Sequence, residues 1–280
     1  MDHKQPSMTA LRVARLRARH QISSFASVFV DPYAIPLLGE GEPLAADLAA
    51  EDVFTNRLRL FVVARSRFAE DSLAAAVKRG VRQVVVLGAG LDTLSLRNPH
   101  RTTGLRIFEV DHPATQAWKR QMLVAAAIAE PEATVFVPVD FERQRLPEEL
   151  SLHGYHMDEP GFFIWLGVVP YLTREAIFST LSFIAAVPGS EVVFDYGEPP
   201  ESREEPARTM LLERARKLAE KGEPWISFFD PDALAADLEK TGFDEIEDLS
   251  GSQLGIRYFD APPGTKNNAG AHVLRARRTA

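Results

Sequence analysis

The chain has 280 residues, 45% hydrophobic and 25% charged, enough to bury one large core without dividing into two equal domains. A formal net charge of −7 gives no electrostatic reason to expect nucleic acid, whose phosphates need a clustered basic footprint. The absence of cysteine excludes disulfides, thiolate metal sites and cysteine nucleophiles, and with neither an apolar leader nor a run able to span a bilayer the chain is expected in the cytoplasm, away from membranes.

Residues 1–80 read as an N-terminal helical extension. "TALRVARLRARHQ" sets Leu11, Ala14, Ala18 and, less regularly, Leu16 among arginines, the pattern of an amphipathic helix whose arginines form a solvated face or cap a ligand's carboxylate. Pro32 and Pro36, with Gly39 behind them, predict a turn and then a short helix or loop. "RLRLFVVARSRFAEDSLAAAVKRG" has helical composition and ends on Gly80 as its C-cap.

From residue 81 to 280 the pattern becomes that of a sheet domain. "RQVVVLG", "LRIFEVD", "ATVFVPVDF", "GFFIWLGVVPYL" and "SEVVFDYG" read as strands, and "PATQAWKRQMLVAAAIA" and "TREAIFSTLSFIAAV" as helices between some of them. That alternation predicts a parallel sheet covered on both faces, with ligands beyond the carboxyl ends of its strands. Residues 197–229, rich in proline and acid before a helical stretch, read as an inserted lid. "DPDALAADLEKTGF" then predicts a helix capped by Asp230 and stopped by Gly242, followed by weak strands at "DEIEDLSG" and "AHVLRARR".

Chemistry concentrates at three strand ends. Gly88 and Gly90 flank Ala89 directly after the first strand, so the backbone can turn sharply and a ligand can approach it closely. The dinucleotide fingerprint asks for a third glycine where Thr93 stands, and Asp92 beside it would repel a pyrophosphate, so the turn suits a nucleoside without phosphates or binds nothing. Asp111 closes the second strand a little over twenty residues after the first glycine, where a carboxylate can accept both hydroxyls of a ribose; the competing reading is a surface or N-cap acid. Glu109 points to the same side but deeper. At the third strand end, Asp140 can accept from the amine of an adenine while Phe141 covers the base or packs in the core. Together the three ends fit S-adenosyl-L-methionine (SAM).

In order along the chain, "TALRVARLRA", "DPYA", "ARSRFAED", "QVVVLGAGLDTLSLR", "FEVDHP", "VDF", "GVVPYLT", "PGSEVVFDY" and "IRYF" resemble the leucine carboxyl methyltransferase-like family, and within it the bacterial SAM-dependent methyltransferases of actinobacterial type. The resemblance implies an α/β, Rossmann-like class I SAM-dependent methyltransferase fold in one compact unit. Its sheet has seven strands, mostly parallel with the last antiparallel, and carries helices on both faces, an N-terminal helical extension and a late helical lid. It also implies SAM as cofactor, S-adenosyl-L-homocysteine as product and no metal. Arg65 would grip the methionine carboxylate, since a guanidinium fork pairs with a carboxylate bidentately; Gly88, Ala89, Gly90 and Asp92 would form the turn, Asp111 would take the ribose, and Asp140 with Phe141 the adenine. His112 would lie over the cofactor or face solvent, and without the resemblance Arg65 and Arg67 read as an exposed helix face. One departure stands out: Leu166 occupies the place of a family glutamate that lies near the methionine amino group, a charge-assisted contact worth about 1.5–3 kcal/mol unless a main-chain carbonyl such as that of Gly88 replaces it.

The expected reaction is O-methylation of a carboxylate or hydroxyl on a small molecule. Tyr171 after the fourth strand and Asp195 or Tyr196 after the fifth are the residues available to a hydroxyl acceptor as base, or else they pack. The acceptor pocket is expected between the N-terminal helices and the insertion, with Trp225, Phe228 and Phe229 as its wall or as the lid's own packing face. His153 and His156 lack an obvious third ligand for a metal, and no serine stands in a nucleophile elbow. The alternatives are a SAM-binding protein with weak or lost activity and a nicotinamide-dependent oxidoreductase.

Overall fold

The computed structural model describes residues 7–39, 44, 48, 51–141, 143–220, 222–265 and 270–279, so the leaderless start read from residues 1–6 lies outside the described residues. Two compact units divide the chain, one up to residue 155 and one from residue 156.

The first unit joins the N-terminal helices to three parallel strands. α1 (Met8–Gln21) starts where the Ser7 side chain accepts the Ala10 N–H at 3.2 Å. α2 (Ala34–Leu38) is the short helix expected after the DP turn. α3 (Val53–Lys78) begins four residues before the predicted segment because Asp52 caps it, accepting from the Thr55 N–H at 2.8 Å. β1 (Gln83–Leu87), β2 (Arg106–Asp111) and β3 (Thr134–Pro138) lie in the order β3-β2-β1. Their register pairs Leu87 with Val110 and Asp111 with Pro138, so the three strands finish nearly level. Two short helices that the sequence reading did not foresee, α4 (Leu94–Arg97) and α6 (Leu146–Leu152), flank α5 (Pro113–Ala125) in chain order. The N-terminal helices share a core with the sheet unit: Ala14, Leu37, Leu91 and Leu123 bury together, with Leu11, Trp118 and Met122 packed against them.

In the second unit the order is β4-β5-β7-β6. β4 (Gly161–Trp165) runs parallel to β5 (Glu191–Gly197), and β7 (Ala271–Arg277) is antiparallel to both β5 and β6 (Glu245–Ser250). The expected fourth strand, "GFFIWLGVVPYL" from Gly161 to Leu172, is too long. It ends at Trp165 because Gly167 takes a φ of +76° and Pro170, which has no N–H for a ladder, sits in a 3-10 turn at Val169–Tyr171. α7 (Arg174–Ala185) connects β4 to β5, and α8 (Ala207–Ala219) occupies the insertion with Leu211 its only buried residue. α9 (Pro231–Thr241) is capped by Asp230 and closes on Gly242 as expected. A further helix, α10 (Gly251–Tyr258), separates β6 from β7, and its capping box of Ser250 and Gln253 was the legible signal for it. No helix among the described residues is long and apolar enough to cross a membrane.

Two buried histidines respond to pH with opposite sign. His20 on α1 is fully buried with its Nδ1 3.4 Å from Arg59, and burial followed by that charge pushes its pKa down to about 4. His272 on β7 lies with Nδ1 2.9 Å from Asp248 and Nε2 2.9 Å from Glu198; burial works to lower its pKa, but the two carboxylates outweigh it and the net shift is upward. The unfolded chain protonates His20 more readily than the folded one, so its contribution, up to about 3 kcal/mol, is present above about pH 6.5 and lost as pH falls toward 4. For His272 the contribution is present below about pH 6.5 and lost as pH rises through its higher folded pKa. Denaturant unfolding at stepped pH should therefore show a shallower acid-side loss for His20→Leu and a shallower alkaline-side loss for His272→Gln than for the wild type; profiles parallel to wild type would refute the assignment.

Candidate functional site

The level strand ends bring the glycine turn, Asp111 and Asp140 into one unit. Beyond β1 the Ala89 N–H donates to the Val110 carbonyl at 3.0 Å, and beyond β3 the Val139 N–H donates to the Asp111 carbonyl at 2.9 Å, so pairing continues into the loops. Gly88 and Gly90 take φ of +63° and +49°, conformations costly for any residue with a Cβ. At Gly90 sterics add to this: a Cβ there would sit 2.9 Å from the Ala10 Cβ on α1. Glycine at that position is therefore required by the N-terminal helix itself.

Asp111 holds the turn from the neighbouring strand. Its Oδ2 accepts the Gly90 N–H at 2.5 Å and its Oδ1 the His112 N–H at 2.6 Å. Burial raises its pKa and those two hydrogen bonds counter the rise. A carboxylate offers about four lone-pair sites, so each oxygen keeps one for an incoming donor. His112 follows as the N-cap of α5, its Nδ1 accepting the Ala114 N–H at 3.2 Å. The N-cap of α5 is therefore His112 and not Asp111, which instead accepts the His112 N–H.

Glu109 lies deeper, as strand alternation requires. Its carboxylate accepts from Ser95 at 2.6 Å and from Lys119 Nζ at 2.5 Å, and both charges of that pair are 1% exposed. Asp140 stands two residues past the end of β3, with its N–H donated to Gln144 at 2.8 Å and its carboxylate 3.6 Å from Arg143. The ring of Phe141 is 57% exposed, which excludes the core-packing alternative for it.

On α3 the two arginines part company. Arg67 is exposed and paired with Asp71 at 2.8 Å, whereas Arg65 is only 7% exposed, with its guanidinium 5.8 Å from the Phe61 ring centroid. The exposed-face reading therefore fails for Arg65 and holds for Arg67.

Three residues carry more of the turn than their sequence context suggested. Arg17 of α1 is 3% exposed, and donates to the Asp92 carboxylate at 2.9 Å and to the Leu91 carbonyl. Burial pushes the Asp92 pKa up, but Arg17, then Arg97 and Lys119, together with the Leu94 N–H, bring it below the usual value. Thr93, where a dinucleotide site would have glycine, is fully buried: it donates to Asp31 at 2.6 Å and accepts from Arg97 at 3.0 Å, while Arg97 also pairs with Glu70 at 2.6 Å. Asp31 belongs to the "DPYA" stretch, so that motif is tied to the glycine loop; only its co-occurrence with "LGAGLDT" hinted at this.

The second unit contains Leu166 and the three residues weighed as bases. Leu166 is half-buried just past β4, and the next residue, Gly167, donates its N–H to Asp195 at 2.5 Å. Asp195 and Tyr196 lie within β5 rather than after it, since the strand continues to Gly197. The Tyr196 hydroxyl donates to Asp248, its ring stacks on His272 at 5.0 Å, and burial with that hydrogen bond raises its pKa. Tyr171 is half-buried in the 3-10 turn. Trp225, Phe228 and Phe229 are not on a helix: the Phe229 N–H donates to Gly197 at 3.0 Å, and Arg214 of α8 lies over Trp225. Among the described residues no group of three His, Asp or Glu is placed to hold a metal ion.

Comparison with known proteins gives this geometry a family. "Putative S-adenosyl-L-methionine-dependent methyltransferase YktD" of Bacillus subtilis is 31% identical over 92% of this chain and 93% of its own length. A relative of the same description from Mycobacteroides abscessus is 30% identical over 75% of this chain and 72% of its own length. Among solved structures, "a putative methyltransferase from Thermobifida fusca YX" superposes with a TM-score of 0.60 at 16% identity, over all of this chain and 97% of that one. Magnesium protoporphyrin IX methyltransferase from Synechocystis PCC 6803 reaches 0.50 at 14% identity, over 94% and 98%. The fold is the expected α/β, Rossmann-like fold of class I methyltransferases, with seven strands of which only the last in sequence is antiparallel. With the leucine carboxyl methyltransferase profile matching residues 10–185 as well, the chain belongs to the leucine carboxyl methyltransferase family.

Proposed function

We propose that this SAM-dependent methyltransferase transfers the methyl group to an oxygen of a small molecule, and that its cofactor is held by Arg65, the turn from Gly88 to Gly90, Asp111, Asp140 and Phe141. The observation that carries the site is Asp111: a half-buried carboxylate whose two oxygens each keep one lone-pair site beside a glycine turn that the same carboxylate braces. The residues fit the cofactor in kind. A ribose diol finds an acceptor at Asp111, an adenine an exposed aromatic ring at Phe141 with an acid beside it, and a carboxylate a largely desolvated guanidinium at Arg65. When bound, SAM supplies a sulfonium-activated methyl, so the protein's task is to align the acceptor and exclude water.

A carboxylate acceptor needs no base, and a hydroxyl acceptor would draw on one of the three residues weighed above. The Tyr196 hydroxyl already donates to Asp248, so it takes no proton from a hydroxyl acceptor without giving up that bond, whereas Asp195, which accepts the Gly167 N–H on one oxygen, and the half-buried Tyr171 remain candidates for that role. Family membership supports methyl transfer over the nicotinamide reading. Leu166 supports a second reading, in which the chain binds SAM with weak or lost turnover because the ammonium has lost its carboxylate.

Calorimetric titration with SAM, S-adenosyl-L-homocysteine and NAD in parallel tests the cofactor; binding of NAD alone would overturn the reading. Asp111→Ala should weaken S-adenosyl-L-homocysteine at least about tenfold without unfolding the chain, the loss expected for charge-assisted hydrogen bonds. Unchanged affinity would remove Asp111 from the site. Arg65→Ala should weaken SAM much more than adenosine, because only SAM carries the carboxylate; equal losses would make Arg65 structural. A screen of small carboxylic acids and phenols should yield methylated product: methyl esters from the acids, recognised by the methanol that alkali releases, or methyl ethers from the phenols, which alkali leaves intact. Turnover by Leu166→Glu but not by the parent would establish the second reading.

A further inference from the structure

We infer that Arg17 is a positioning residue for the cofactor, and that docking of α1 and occupancy of the glycine turn are coupled. The inference rests on the assignment of that turn to the cofactor. Its basis is a single face of α1: Ala10, Ala14 and Arg17, spaced as one side of a helix, meet consecutive residues of the loop. Ala10 abuts Gly90, where a Cβ would come within 2.9 Å. Ala14 packs with Leu91 in the shared core. Arg17 donates one amino group to the Leu91 carbonyl and the other to the Asp92 carboxylate at 2.9 Å.

The loop is thereby held from two sides. Asp111 takes the Gly90 N–H from the sheet side, and Arg17 takes the next two residues from the helix side. Asp92 passes the constraint along, since its N–H donates to Ala89 at 2.7 Å and its carboxylate accepts the Leu94 N–H at 2.7 Å. Asp92 therefore acts through the loop: its carboxylate is spent on Arg17 and on the start of α4. A glycine turn is intrinsically permissive, so its binding-competent shape depends on such outside restraints, and a ligand gains affinity when the ordering cost has been met beforehand. Because coupling of two equilibria is reciprocal, a ligand that selects the ordered turn must also stabilise the docked α1.

The test measures S-adenosyl-L-homocysteine affinity by calorimetry and amide hydrogen exchange of residues 8–21 with and without that ligand. In the wild type the ligand should slow exchange in α1. Arg17→Ala and Asp92→Asn should each weaken binding about tenfold, and the double variant by little more than either single one, because the two residues act as a unit. Arg17→Lys should recover only part of the affinity, since an ammonium lacks the fork that spans both acceptors. Should Arg17→Ala fail to fold, Arg17→Lys and Asp92→Asn carry the same comparison. Wild-type affinity in Asp92→Asn and Arg17→Lys, or no ligand-dependent protection of α1, would overturn the inference. Asp111→Ala separates the two levels: if it too binds as the wild type does, the assignment of the turn to the cofactor has failed, whereas its loss of binding beside unaffected Arg17 and Asp92 variants condemns the clasp alone.

Discussion

The glycine turn of the first unit depends on one carboxylate. Asp111 accepts the N–H of Gly90 across the gap between β1 and β2, and the N–H of His112 at the start of α5. A strand end, a glycine turn and a helix N-terminus are thus fixed to a single pair of oxygens. The level register of β1, β2 and β3 makes this possible, since a slip of one residue would turn the Asp111 side chain to the opposite face of the sheet. The same register brings Asp140 to the neighbouring strand end. Site geometry is here a direct result of strand pairing.

Around that carboxylate stand several buried or partly buried charges. Glu109 with Lys119 and Ser95, Asp31 with Thr93 and Arg97, and Arg17 with Asp92 each join the glycine loop or its flanking helices to another element. Pairs of this kind add little net stability, because desolvation offsets the attraction, but breaking one by removing a single partner costs about 3–5 kcal/mol. Their effect is to make one arrangement of α1, α4 and α5 much better than its neighbours. The second unit uses the same device: His272 stands between Asp248 and Glu198 with the Tyr196 ring stacked on it, joining β5, β6 and β7.

This division of labour suits methyl transfer. The sulfonium carries the reactivity, so the chain needs few groups that change protonation and many that hold position. Asp195 and Tyr196 carry structural hydrogen bonds, Glu109, Asp31 and Asp92 brace the glycine loop and its flanking helices, and Asp111 retains acceptor capacity beyond its own bonds.

Much of the fold was legible because it rests on local rules. The apolar runs of β1, β2 and β5, the glycines at positive φ, and the caps of α9 follow from backbone preference and periodicity. The strand-end acids were legible by their spacing from the glycine turn. What misled was equally local: "GFFIWLGVVPYL" stays apolar past Trp165, and hydropathy does not register that Gly167 and Pro170 break the ladder. Charge was the harder case. Arg17, Arg65 and Arg67 look alike in sequence, yet Arg67 faces water while Arg17 and Arg65 are buried. The sequence by itself determined the order of the strands and of the longer helices, the glycine turn and the acids at the strand ends, because these depend on neighbours along the chain. Only the tertiary structure decided which arginines face inward, that Asp92 serves α1, and that Thr93 belongs to a buried network, because the partners of those side chains lie up to 75 residues away and no local pattern encodes them.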